Sequence, residues 1–225
     1  MSERYAIFDL DGTLLDTEIM YTIATQQYLD EYSPGSKFDY EMKKQMMGRL
    51  IEPATRALLE RYHITDTISH AVQYKIDHLN SLWSQVKPLP GAIRILQYFK
   101  KHSIPIALAT STTKEVFDNK MEANKDMLKY FDAIVLGDNP AVKASKPKPD
   151  IFLHAAKLLG CTDMKKAIVF EDAVLGVQAG LASGALTIAI PEEENADDPV
   201  FNTADCMLKS LNEFKPSQFG LPDDF

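Results

Sequence analysis

Short apolar runs alternate with helical patterns over most of this chain. The runs are YAIFD (5–9), IPIALAT (104–110), AIVLG (133–137), AIVFED (167–172) and LTIAI (186–190). Each is nearly continuous in apolar character, without a polar residue at every second position. That pattern predicts parallel strands covered on both faces, because a strand with one wet face alternates. DCMLKSL (205–211) adds a short edge strand. Residues 17–86 break the rhythm. They hold no strand pattern but several helical ones, among them EIMYTIATQQYLDEY and ISHAVQYKIDHLNSLW. The Pro-flanked VKPLPGA (86–92) reads as the hinge back into the α/β part. The expected architecture has two lobes: an α/β core from 1–16 and 87–225, and a helical insertion at 17–86 after the first strand. The tail EFKPSQFGLPDDF is expected to be ordered and to turn over the core.

In an open parallel sheet, ligands bind beyond the carboxyl ends of the strands. The polar residues that close the apolar runs are therefore the candidate site. The first run ends in Asp9, with Asp11 just beyond it, and Gly12 lets the backbone turn sharply away. The second ends in Thr110-Ser111 and the fourth in Glu171-Asp172, while SKPKPD places Lys146 after the third. Carboxylates without a nearby His or Cys make a hard oxygen site, which favours Mg²⁺. Lysine, hydroxyls and backbone N–H groups at helix starts bind phosphate oxygens. An acid facing metal and phosphate together can act as a nucleophile, and a second acid can protonate the leaving group.

Composition narrows the partners. The 225 residues are 45% hydrophobic and 25% charged, an ordinary globular balance with room for a sizeable core. A formal net charge of −8 argues against nucleic acid or an anionic membrane as the main partner. It leaves room for a small phosphorylated substrate. The cysteines, Cys161 and Cys206, have no metal-ligand spacing and read as a reduced pair. No leader segment or membrane span is read in the sequence, so the expectation is a cytoplasmic monomer. The five histidines do not pair at metal spacing.

The motifs DLDGT, LATS, SKPKPD and FEDA, in that order, resemble the four motifs of the haloacid-dehalogenase-like (HAD) superfamily of phosphatases. The resemblance implies a Rossmann-like parallel core with a helical cap domain inserted after the first strand. It implies Asp9 as nucleophile and Asp11 as general acid/base. Thr110 and Ser111 would meet the transferring phosphate, and Lys146 would neutralise phosphate and nucleophile. Mg²⁺ would be held near Asp9, Asp172, Glu171 and the backbone carbonyl of Asp11. Ser145 departs from the pattern, since many relatives carry Gly before the lysine. In the insertion, MMGRLIEPATR puts Gly48 and Arg49 where related caps carry a specificity loop. Asp16 and Glu18 either cap the insertion's first helix or touch substrate.

Longer stretches, including VLGDNPAV, KPKPDIFL, VFEDAVLGVQAGLASG and the terminal FGLP, are similar to the branch that includes pseudouridine-5′-phosphatase. The expectation is a Mg²⁺-dependent phosphomonoesterase for a small phosphorylated metabolite, with pseudouridine 5′-phosphate as first candidate. The alternatives are a sugar phosphomutase of the β-phosphoglucomutase type, another sugar or polyol phosphatase, and a non-catalytic phospholigand-binding module.

Overall fold

The computed structural model describes residues 4–46 and 51–225. The chain divides into two compact units, one from residues 1–16 and 87–225 and one from residues 17–86.

The first unit is built on a six-stranded parallel sheet. Its strands are β1 (Tyr5–Phe8), β2 (Ile106–Ala109), β3 (Ala133–Val135), β4 (Ala167–Glu171), β5 (Leu186–Ala189) and β6 (Cys206–Met207). Their order across the sheet is β3-β2-β1-β4-β5-β6. Every residue of β1, β2 and β4 is buried, which accounts for their unbroken apolar runs. β1 pairs with β2 through Ala6↔Ile106 and with β4 through Phe8↔Phe170. The chain crosses to one side of β1 for β2 and β3, then to the other for β4 to β6. The carboxyl end of β1 is therefore the topological switch point, where such sheets leave a crevice for ligand.

Four helices cover this sheet: α5 (Ala92–Lys101), α6 (Lys114–Met121), α7 (Asp150–Leu158) and α8 (Val174–Ser183). Ile7, Ala107, Ala109 and Val169 pack with Ile151, Phe152 and Ala155 of α7 in one buried cluster. Phe8 points the other way. It stacks on Phe170 at 4.3 Å and meets Phe99 of α5 edge-on at 5.8 Å. Phe214 of the tail closes on Phe170 and Phe99, and Phe219 and Leu221 are buried, so the tail is ordered against the core as expected. Every strand stops short of the run that announces it, the two edge strands β3 and β6 among them. Beyond Val135 the chain leaves the sheet, and the N–H of Gly137 donates to the carbonyl of Thr112 instead. β6 pairs on one side only and lasts two residues.

The second unit contains α1 (Glu18–Tyr32), α2 (Tyr40–Met46), α3 (Ile51–Arg61) and α4 (Ile68–Leu82). Its core is Tyr28, Leu29, Met42, Leu58, Leu59 and Ala71. Thr67 caps α4 by accepting from the N–H of His70. Lys75 of α4 is buried and donates to the hydroxyl of Thr55 at 2.7 Å. Burial lowers its ammonium to about 8. The segments leading to and from this unit are paired inside the first one. Asp16 donates its N–H to Lys87, and Leu89 donates to Leu14. Among the described residues, no helix is long and apolar enough to cross a membrane.

Candidate active site

Asp9 follows β1 directly and stays in the ladder, its N–H donating to the carbonyl of Phe170. Its side chain is only 8% exposed. Lys146, from the loop between β3 and α7, donates to Asp9 Oδ1 at 2.5 Å and to Glu171 Oε1 at 2.6 Å. The same ammonium lies 5.0 Å from the ring centre of Phe152, so α7 supports the lysine from behind. Glu171 ends β4 fully buried. Its Oε2 accepts from the N–H groups of Asp172 and Ala173 where α8 begins. Both oxygens of Glu171 are thus engaged, which points to a fixing role for Lys146 and the α8 start. A Cβ on Gly176 would fall 1.9 Å from that carboxylate, so α8 approaches this closely only with glycine there.

Asp172 accepts from the buried hydroxyl of Thr13 at 2.8 Å. Gly12 stands at φ +76°, and a Cβ there would lie 2.2 Å from Asp172 Oδ2. Gly12→Ala is therefore expected to destabilise the fold by about 1–3 kcal/mol through strain and overlap. It should also displace Asp172 and sharply lower activity. Paired denaturant melts and rate measurements check both effects.

Asp11 faces a different set of groups. Thr112 donates its hydroxyl to Oδ2 at 2.7 Å, and Lys120 of α6 donates to Oδ1 at 2.6 Å. Thr110 closes β2, buried, with its Oγ1 accepting from the N–H of Thr112 at 3.2 Å. Ser111 is exposed beside it. A Cβ on Gly137 would lie 2.1 Å from the Ser111 carbonyl, so glycine lets that turn pass. Glu18 belongs to the helical unit, where its carboxylate lies 3.9 Å from Lys43. Gly48 and Arg49 lie outside the described residues.

The cluster Asp9, Asp11, Lys146, Glu171 and Asp172 thus comes from two strand ends, those of β1 and β4, and one loop. Thr13, Thr112 and Lys120 join it without having been singled out from the sequence. Thr13 sits inside DLDGT and was legible there. Lys120 was legible only through spacing: Phe117, Lys120 and Met121 share one buried helix face.

Charge in this cluster is unbalanced. Four carboxylates, Asp9, Asp11, Glu171 and Asp172, share two ammonium groups, Lys146 and Lys120. Burial pushes the Asp9 carboxyl up to about 7. The Lys146 charge opposes that rise, while Glu171 and Asp11 add to it. Burial would lower Lys146, but the charges of Asp9 and Glu171 outweigh it and hold the ammonium above the usual lysine range. Oxygens of Asp9, Glu171 and Asp172 lie within 4.8 Å of one another. An all-oxygen, over-negative cluster of this kind fits a hard divalent cation such as Mg²⁺. The arrangement also offers a carboxylate held rigidly beside an ammonium, which suits attack on an anionic ester.

The haloacid dehalogenase-like hydrolase family profile matches residues 6–190. Over 226 residues the chain is 38% identical to (DL)-glycerol-3-phosphatase 1, mitochondrial, of Arabidopsis thaliana, covering 98% of this chain and 74% of that protein. It is 33% identical over 220 residues to the probable pseudouridine-5′-phosphatase of Drosophila melanogaster, covering 97% and 94% of the two chains. Among solved structures, CbbY from Rhodobacter sphaeroides in complex with phosphate is 25% identical. It matches with a TM-score of 0.74 over 95% of this chain and 96% of that one.

Proposed function

The chain belongs to the haloacid dehalogenase-like hydrolase family, and on that premise we propose that it is a Mg²⁺-dependent phosphomonoesterase working through an aspartyl-phosphate on Asp9. The observation that carries this reading is the Lys146 ammonium held between Asp9 and Glu171 at the switch point of the sheet. Asp9 Oδ attacks phosphorus and the ester C–O oxygen leaves with the bonding pair. Asp11 donates the proton that the leaving alkoxide takes up. Asp11 then accepts a proton from the water that attacks the phosphoryl group, which releases phosphate and regenerates Asp9. Lys146 stabilises negative charge on the transferring oxygens, together with the Thr110 hydroxyl and the Ser111 N–H. Asp9, Asp172 and the Asp11 carbonyl would hold Mg²⁺, with Glu171 beside them fixing Lys146 and adding negative charge. The ion supplies Lewis-acid neutralisation of phosphoryl charge.

The substrate class is a small phosphomonoester. The relatives' names support two forms of it, a polyol phosphate such as glycerol 3-phosphate and a nucleoside phosphate such as pseudouridine 5′-phosphate. Phosphate release from a panel containing both, with sugar phosphates added, tests the reading. Turnover of a monophosphate without added bisphosphate supports a phosphatase, whereas a strict bisphosphate requirement assigns a phosphomutase. No Mg²⁺-dependent release from any ester would overturn the enzyme reading. Residues 17–86 are proposed as a substrate-selecting cap, with Glu18, Gly48 and Arg49 as its contacts.

Metal binding is expected to depend on pH with a definite sign. The ion competes with the proton on Asp9, whose carboxyl stands at about 7. Mg²⁺ should therefore raise the melting temperature more above that pH than below it. Asp172→Asn should remove most of the shift. An equal shift across the range would place the ion elsewhere.

A further inference from the structure

Lys120 is among the most deeply buried charged residues described here, its side chain 1% exposed. Burying an ammonium is costly unless it is paired. This one meets Asp11 Oδ1 at 2.6 Å, with the Thr112 hydroxyl at 3.4 Å. Thr112 in turn donates to the other oxygen of the same carboxylate at 2.7 Å. Each oxygen of Asp11 is therefore gripped, one by an ammonium anchored in the core and one by a hydroxyl. Thr112 itself is fixed at both backbone ends: its N–H donates to Thr110 Oγ1 and its carbonyl accepts from Gly137. Asp11 is only partly buried, at 24% exposure of its side chain. Left alone, a side chain with that freedom would sample several rotamers.

We propose that Lys120, together with Thr112, is the positioning device for Asp11. It sets the place from which that carboxylate exchanges protons with the leaving group and with water. The inference rests on the acid/base role assigned to Asp11 under the proposed function. Lys120 does not touch the ester. It acts by limiting where the Asp11 oxygens can be, and misplacement of a reacting group by an ångström costs about 10²-fold in rate.

The test uses the full chain and three variants. Lys120→Met keeps the length and apolar stem but removes the charge. Thr112→Val releases the other oxygen from a half-buried position, so it serves if Lys120→Met fails to fold. Thr112→Ser returns the hydroxyl. In single-turnover phosphorylation, an alkyl phosphate should slow by about 10²-fold in Lys120→Met and in Thr112→Val with KM little changed. An ester with a good leaving group, p-nitrophenyl phosphate, should slow far less, because it needs little protonation. Thr112→Ser should recover most of the loss. Combining Lys120→Met with Asp11→Asn should be scarcely worse than Asp11→Asn alone, since both act through one group. Equal slowing of both esters, or losses that multiply in the double variant, would overturn the assignment. If Asp11→Asn alone kept the full rate, the acid/base reading and this inference would fall together. If Asp11→Asn were slow while Lys120→Met and Thr112→Val were not, only the positioning role would fall.

Discussion

Asp9→Asn is expected to leave a folded protein with essentially no turnover. The amide fills the same space after β1 but is a poor nucleophile and a weaker ligand for a cation. The loss should be on the order of 10⁵-fold or more, the scale seen when a catalytic nucleophile is removed. The fold should tolerate the change because Lys146 keeps Glu171 as its partner. Its pH dependence carries a sign. The ordinary value of 3.8 for Asp9 is raised to about 7 in the fold, so ionisation is harder there than in the unfolded chain. Without metal, the wild type therefore loses stability as pH rises from about 4 through 7, and the asparagine variant escapes that loss. Melting curves in chelator should show the variant gaining on the wild type over this window. A variant that melts far below the wild type throughout would mean that the Asp9–Lys146 pair is chiefly structural. A near-normal rate would remove the nucleophile assignment.

Asp11→Asn has the second largest expected effect, a loss of about 10²–10⁴-fold, the range for general acid/base catalysis. Its signature is the dependence on leaving group. Alkyl phosphates need a proton at the departing oxygen, and p-nitrophenyl phosphate needs it much less. In single turnover the first step should therefore be impaired more for the alkyl ester. Breakdown of the phosphoenzyme should be slow for both, because the attacking water loses its base. Equal impairment of the two esters in the first step would contradict an acid role for Asp11.

The elements that proved legible are those where composition and position speak together. The strands at 5–9 and 167–172 were readable because a central parallel strand must be apolar on both faces, and both are buried throughout. Asp9, Lys146 and Asp172 could be named because strand ends and turns, not helix faces, delivered them. The edges were harder to read. β3 and β6 pair on one side only, so their apolar runs do not mark where pairing stops. Lys120 was missed for a different reason. On an exposed helix a lysine is ordinarily solvated, and KEVFDNKM gives no sign of the carboxylate 109 positions earlier that compensates its burial. Thr112 was passed over because a run of hydroxyls, TSTT, does not say which one turns inward. Partners brought together only by the fold have no local signature.

The central claim is that the phosphoryl group passes through Asp9 before it reaches water. The stereochemical course at phosphorus measures this directly. A substrate made chiral at phosphorus with sulfur and oxygen isotopes would be hydrolysed in isotopically labelled water and the released phosphate analysed for configuration. Two successive in-line displacements, onto Asp9 and then onto water, predict net retention. Net inversion would mean a single attack by water on the ester and would contradict the account.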